Sequence, residues 1–172
     1  GGQDRLTVVT FDSVGVPPGD MESALEQTRR FFQIAGIETK WIVCRSLDSC
    51  AMPPAGTFVR VSIVGWTQGT ILGFASLGSA VSRNPQVYVF HDRVRRAAAS
   101  GSFAGVLAFV TVHETLHSLG LEHAPAGVMR ESAGSREIAS FLRGPVMPVY
   151  QWKQLRDGVA RLGTPGKAVQ ED

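Results

Sequence analysis

A mixed α/β fold, with helices packed on a sheet, is predicted by three features of the 172-residue chain. Short β-branched runs recur between glycine and proline breaks, two longer segments have helical apolar spacing, and 44% of the residues are apolar. The order β-α-β-β-β-β-α-loop-α suits one sheet covered by helices, and 172 residues suffice for a single domain with a sizeable core.

The elements follow in order. Leu6–Phe11 (LTVVTF) is a β-branched first strand, broken by Pro17-Pro18-Gly19. Asp20 is the expected N-cap of a helix from Met21 to about Ala35, with Leu25, Phe32 and Ile34 among its apolar positions and Gly36 as its stop. Thr39–Val43 is a second strand, Met52–Gly56 a loop, and Thr57–Val64 an alternating third strand. Ile71–Leu77 (ILGFASL) is punctuated by glycine, as an edge strand closely approached by another chain would be. Gln86–Phe90 is a fifth strand, and His91–Ala99 a short helical turn ended by Ser100-Gly101-Ser102. A largely apolar helix runs from Phe103 to about Leu119. Glycines and prolines then punctuate the chain to Pro148, and Val149–Leu162 closes it as an amphipathic helix with Trp152 and Leu155 inward.

Composition excludes several classes. The longest apolar segment, Phe103–Val112, is too short to span a bilayer. Net charge is +2, and the densest basic cluster, Arg93-Val94-Arg95-Arg96, lacks interleaved aromatics, so no nucleic-acid partner is expected. Cys44 and Cys50 enclose five residues, which suits a disulfide-closed loop in an exported protein or two free thiols in a cytosolic one. They lack CxxC spacing and a second pair, which argues against metal ligation. No signal peptide is visible; the start at Gly1-Gly2-Gln3 reads as that of either a trimmed or a mature chain rather than a native initiation site, and a secreted or periplasmic location is the expectation.

The chemistry concentrates in HETLHSLGLEH, His113 to His123, which holds three of the four histidines. His113 and His117 are one turn apart on one helix face, so both imidazoles can reach one divalent cation. A straight helix cannot readily supply a third ligand. Gly120 can take a positive φ, end the helix and swing His123 back to the same ion. Three neutral imidazoles leave one coordination position open, the mark of a catalytic site. Glu114 projects beside the ion, placed as a general base. Zinc is the expected ion, a single catalytic Zn2+. Chance occurrence of such spacing has odds on the order of 10⁻⁵, which disfavours a set of ordinary core histidines.

These residues resemble the extended zinc motif of the metzincin metallopeptidases, HExxHxxGxxH, at every defining position. Gly127-Val128-Met129 resembles the methionine turn of that family, with Met129 as the apolar floor under the imidazoles; Met147 is a more distant candidate. The resemblance implies a twisted, mostly parallel five-stranded sheet with an antiparallel edge strand, an active-site helix and a C-terminal helix. Ile71–Leu77 then stands where the edge strand should be, and Gly73, Phe74 and Ala75 become candidate substrate-binding positions. An extended peptide would pair with that backbone.

The departures are specific. There is no cysteine-switch segment, no set of extra histidines for a second zinc, and no cysteines after the third histidine as in archaemetzincins. Glu131 stands where astacins and serralysins place a tyrosine; Tyr150 is either an oxyanion-steadying group or a packing residue. His91 is expected at the surface or at a helix start, and Glu122 either orients an imidazole or faces water. The expectation is therefore a monomeric zinc endopeptidase of no assigned subfamily, acting on peptide or protein. A zinc amidohydrolase on a small non-protein amide and a catalytically silent zinc-binding module are the alternatives.

Overall fold

The computed structural model describes residues 4–65, 73–76 (backbone), 84–99 and 101–162. Strands β1 (Arg5–Asp12), β2 (Glu38–Cys44), β3 (Val59–Val64), β4 (Gly73–Ser76) and β5 (Gln86–Phe90) form one sheet, ordered β2-β1-β3-β5-β4. β1 runs parallel to β2 and β3, and β3 parallel to β5; β4 pairs antiparallel with β5 at the edge. The mostly parallel sheet with an antiparallel edge is thus present. Residues 71, 72 and 77 of the expected edge strand lie outside the described residues.

Strand periodicity divides the sheet into two faces. Leu6, Val8, Val61, Ile63, Val87 and Val89 join the main core beneath the helices. Val9, Cys44 and Phe58 form a small second cluster with Phe11, Ile42 and Cys50 on the other side. A Cys44–Cys50 disulfide closes the loop there, with 5.7 Å between the Cα atoms, which resolves the thiol question.

Helix α1 (Pro18–Ile34) begins earlier than expected, with Pro17 rather than Asp20 at the N-cap. Pro18 suits the first helical position because its φ is preset and the N–H it lacks would have no intrahelical partner. Asp20 instead lies in the first turn, where its charge favours the positive end of the helix dipole. α2 (His91–Ala97) leads into α3 (Phe103–Ser118), whose N-cap Ser102 accepts from the Gly105 N–H at 3.0 Å. α3 is buried along most of its length and packs on α1, α2, α4 and β3–β5. Among the described residues, no helix is long and apolar enough to cross a membrane.

The stretch expected to be irregular up to Pro148 contains a further helix, α4 (Ser135–Arg143). Gly134 and Gly144 flank it, and the Glu137 carboxylate accepts from the Gly134 N–H at 2.9 Å. Its Phe141 meets Phe109 edge-on, with ring centroids 5.6 Å apart, and tilts against Phe31. α5 (Val149–Arg161) follows, burying Gln151, Leu155, Gly158 and Val159.

Candidate metal centre

α3 stops at the predicted glycine. Gly120 has φ 96°, and its N–H donates to the His117 carbonyl at 2.9 Å while the Leu121 N–H reaches back to Leu116 at 3.0 Å. These are the two bonds of a Schellman stop, which needs a left-handed residue at this position. Leu116 and Leu121, on either side of the stop, are both buried. The chain thereby leaves the helix and turns His123 back.

Three imidazoles meet at the end of the bend. His117 Nε2 lies 3.1 Å from His113 Nε2 and 3.1 Å from His123 Nε2. All three ligand atoms lie within 4.8 Å of one another. Nitrogen ligands at ordinary zinc distances in a tetrahedral shell stand about 3.3 Å apart.

The outer ring nitrogens specify which atoms can bind. His113 Nδ1 is 2.7 Å from the Val128 carbonyl, and His117 Nδ1 is 2.8 Å from the Leu121 carbonyl. A carbonyl can only accept, so both Nδ1 atoms carry the proton and donate it. The Nε2 lone pairs of the two rings then face each other, an arrangement that a shared cation relieves. The donor set therefore fits a metal ion, and three imidazoles suit zinc. Such outer hydrogen bonds fix tautomer and orientation in metal sites. Burial lowers the pKa of His113 to about 4 and that of His117 below its usual value, keeping both rings neutral and able to ligate.

Glu114 follows His113 and is half-buried; burial pushes its carboxyl up to about 7. Met129 is fully buried in the core, and its carbonyl accepts from the Ala124 N–H at 2.9 Å. Gly127, at φ 81°, opens this turn, and a Cβ there would run into the Val146 carbonyl. The turn thus supplies the Val128 carbonyl to His113 from one side and closes onto the residue after His123 from the other.

Other candidates stand apart. Gly73, Phe74 and Ala75 lie on β4, opposite Val89, Tyr88 and Val87 of β5, on the strand that packs along α3. Tyr150 is exposed in the first turn of α5, and among the described residues no hydrogen bond joins it to the histidines. His91 opens α2, its ring edge-on to Phe103 at 5.4 Å, and takes no part in the cluster. Glu122 is exposed, and its backbone carbonyl is what engages, accepting from Gln151 Nε2 at 2.9 Å. Gln151 escaped sequence reasoning, since nothing local distinguishes it from a solvated glutamine.

The mixed sheet, the helix α3 packed on it and the three-histidine cluster together define an α/β architecture with a candidate metal site. No protein-family model matches the chain, and no curated protein matches its sequence. Among solved structures, the chain is similar to the crystal structure of an archaemetzincin from Methanopyrus kandleri, with a TM-score of 0.53. Sequence identity is 15%, over 91% of this chain and 95% of that one, so the likeness is one of fold.

Proposed function

We propose that the chain is a zinc-dependent endopeptidase with His113, His117 and His123 as ligands and Glu114 as general base. The observation that carries this reading is the convergence of the three Nε2 atoms, 3.1 Å from His117 to each neighbour, beside a half-buried carboxyl. Zinc held there would supply Lewis-acid polarisation of a water and of a carbonyl oxygen. Glu114 takes a proton from the attacking water and returns it to the departing amine nitrogen. Its carboxyl, raised to about 7 by burial, is matched to doing both near neutral pH.

Met129 forms the floor beneath the imidazoles, in the manner of a methionine turn. An extended peptide adds to the outer edge of β4 at Gly73, Phe74 and Ala75. Residues from Arg130 to Tyr150 wall the pocket for the side chain after the cleaved bond. Val146 and Val149, 60% and 86% exposed, and the half-exposed Tyr150 give that wall an apolar rim, supporting preference for an apolar residue. The disulfide supports a secreted or periplasmic site of action. The chain acts as a single catalytic domain and as a monomer.

Glu114→Gln provides the test. Zinc content, measured by elemental analysis, stays at that of the unaltered chain, while cleavage of a fluorogenic peptide library falls by about 10²–10⁴. Undiminished turnover would remove Glu114 from the mechanism. An unaltered chain that binds zinc but cleaves no peptide would overturn the peptidase reading and leave a binding module.

A further inference from the structure

The third ligand is held differently from the other two. His113 and His117 ride on α3, and each is tied through Nδ1 to a backbone carbonyl. His123 is exposed and lies beyond the helix end; among the described residues no carbonyl takes its Nδ1. Its chain neighbours are pinned instead. On one side the Ala124 N–H donates to the Met129 carbonyl at 2.9 Å; on the other, Gln151 Nε2 donates to the Glu122 carbonyl at 2.9 Å.

Gln151 comes from α5, 29 residues further along the chain. It is 1% exposed and shares the buried stripe of that helix with Leu155 and Val159. Its Oε1 is buried with no partner among the described residues. A buried acceptor without a partner costs stability, so an apolar side chain of similar shape would serve packing better. Packing alone therefore does not explain a glutamine here, whereas the bond to Glu122 does. The same helix grips the other end of the bend: Arg161 Nη2 donates to the Leu119 carbonyl at 3.1 Å, and Gly158 lies so close that a Cβ would meet that carbonyl at 2.6 Å.

We propose that Gln151 is a positioning residue for His123, fixing the peptide before it so that its imidazole is already in place when metal arrives. This rests on the three-histidine reading above. Setting the Glu122 carbonyl sets the plane from which the His123 Cα departs, and it removes loop freedom that metal binding would otherwise have to freeze.

The test measures affinity and stability separately. Gln151→Met keeps the shape and loses the donor. Zinc affinity, from competition with a chromophoric chelator, is expected to fall about 10–100-fold. The visible bands of the cobalt-substituted protein weaken as His123 loosens, while the metal-free melting temperature holds or rises. Leu155→Ala, on the same buried stripe, is the control: it lowers the melting temperature and moves affinity far less. Should the methionine variant not fold, Gln151→Asn, too short to reach Glu122, carries the same expectation for affinity. A variant that binds zinc as tightly as the unaltered chain, or loses no more affinity than Leu155→Ala, overturns the assignment. An unaltered chain that takes up neither zinc nor cobalt overturns the metal centre itself, a distinct result read before any variant is made.

Discussion

α1 and α3 end in the same way and lead to different outcomes. Phe32-Gln33-Ile34-Ala35-Gly36-Ile37-Glu38 matches Leu116-His117-Ser118-Leu119-Gly120-Leu121-Glu122 in its pattern of apolar positions, glycine and acid, except that Ile34 stands where α3 has Ser118. Both glycines have positive φ, 75° at Gly36 and 96° at Gly120. Both stops use the same pair of bonds: Gly36 N–H to Gln33 and Ile37 N–H to Phe32, as Gly120 to His117 and Leu121 to Leu116. After Gly36 the chain enters the sheet, where the Glu38 N–H donates to Asp4 and β2 pairs with β1. After Gly120 no strand receives it, and the Glu122 carbonyl is held by a side chain, Gln151. The stop is a local device. Where the chain goes afterwards, and whether the bend becomes a site, depends on what the tertiary structure offers it.

The sharpest way to break this comparison is to alter matched positions. Gln33 is exposed and His117 half-buried at the same place before the two stops. His117→Ala should cost zinc affinity more than the roughly 10–100-fold typical of supporting partners, because a proposed ligand itself is lost. Gln33→Ala should leave affinity alone and stability within about 0.5 kcal/mol, as surface changes do. Isothermal titration and thermal melts of both variants check this.

Beyond the α1 stop, β2 ends in the Cys44–Cys50 bridge, remote in sequence from the histidines. Replacing both cysteines by serine should cost about 2 kcal/mol, the loop-closure value for so short a ring. Denaturant midpoints would register the loss while zinc affinity stays unchanged. A matching fall in affinity would mean that the two regions are coupled.

The glycines come next. Gly36→Ala and Gly120→Ala each force a Cβ into a left-handed conformation, costing about 1–2 kcal/mol. Only Gly120→Ala should also lower metal affinity, since only that bend leads to a proposed ligand, His123. Equal effects on affinity would show that the bends are not distinct in function.

The smallest effect is electrostatic and belongs to the metal-free chain. Burial lowers the pKa of His113 from 6.5 to about 4 and that of His117 in the same direction. Between 6.5 and 4 the unfolded chain therefore binds more protons, and this contribution to stability is lost as pH falls through that window. Glu114, raised from 4.5 to about 7, works the other way: its contribution is present below 4.5 and lost as pH rises towards 7. The two trends oppose each other where they overlap. Glu114→Gln removes one of them, so its metal-free stability should fall more steeply with acid between pH 6.5 and 4.5 than that of the unaltered chain. Chemical denaturation at several pH values would detect the change in slope. Gln33→Ala, at the other stop, should change no slope.

What the sequence determined by itself was local. The histidine spacing, both glycine stops and the β-branched runs are legible because helical period, the steric ban on positive φ and strand propensity act over a few residues. Even there, Asp20 misled: it carries the signature of a cap, yet Pro17 and Pro18 start the helix first. Ile138, Phe141 and Leu142 had helical spacing, but the glycines around them obscured α4 until Phe31 and Phe109 gave Phe141 a place to pack. The tertiary structure alone decided the strand order β2-β1-β3-β5-β4 and the partners that orient the site. Val128 and Leu121 act through their carbonyls, a group common to every residue and therefore silent in sequence. Gln151 acts across 29 residues, and no local pattern marks which buried amide will meet which distant peptide.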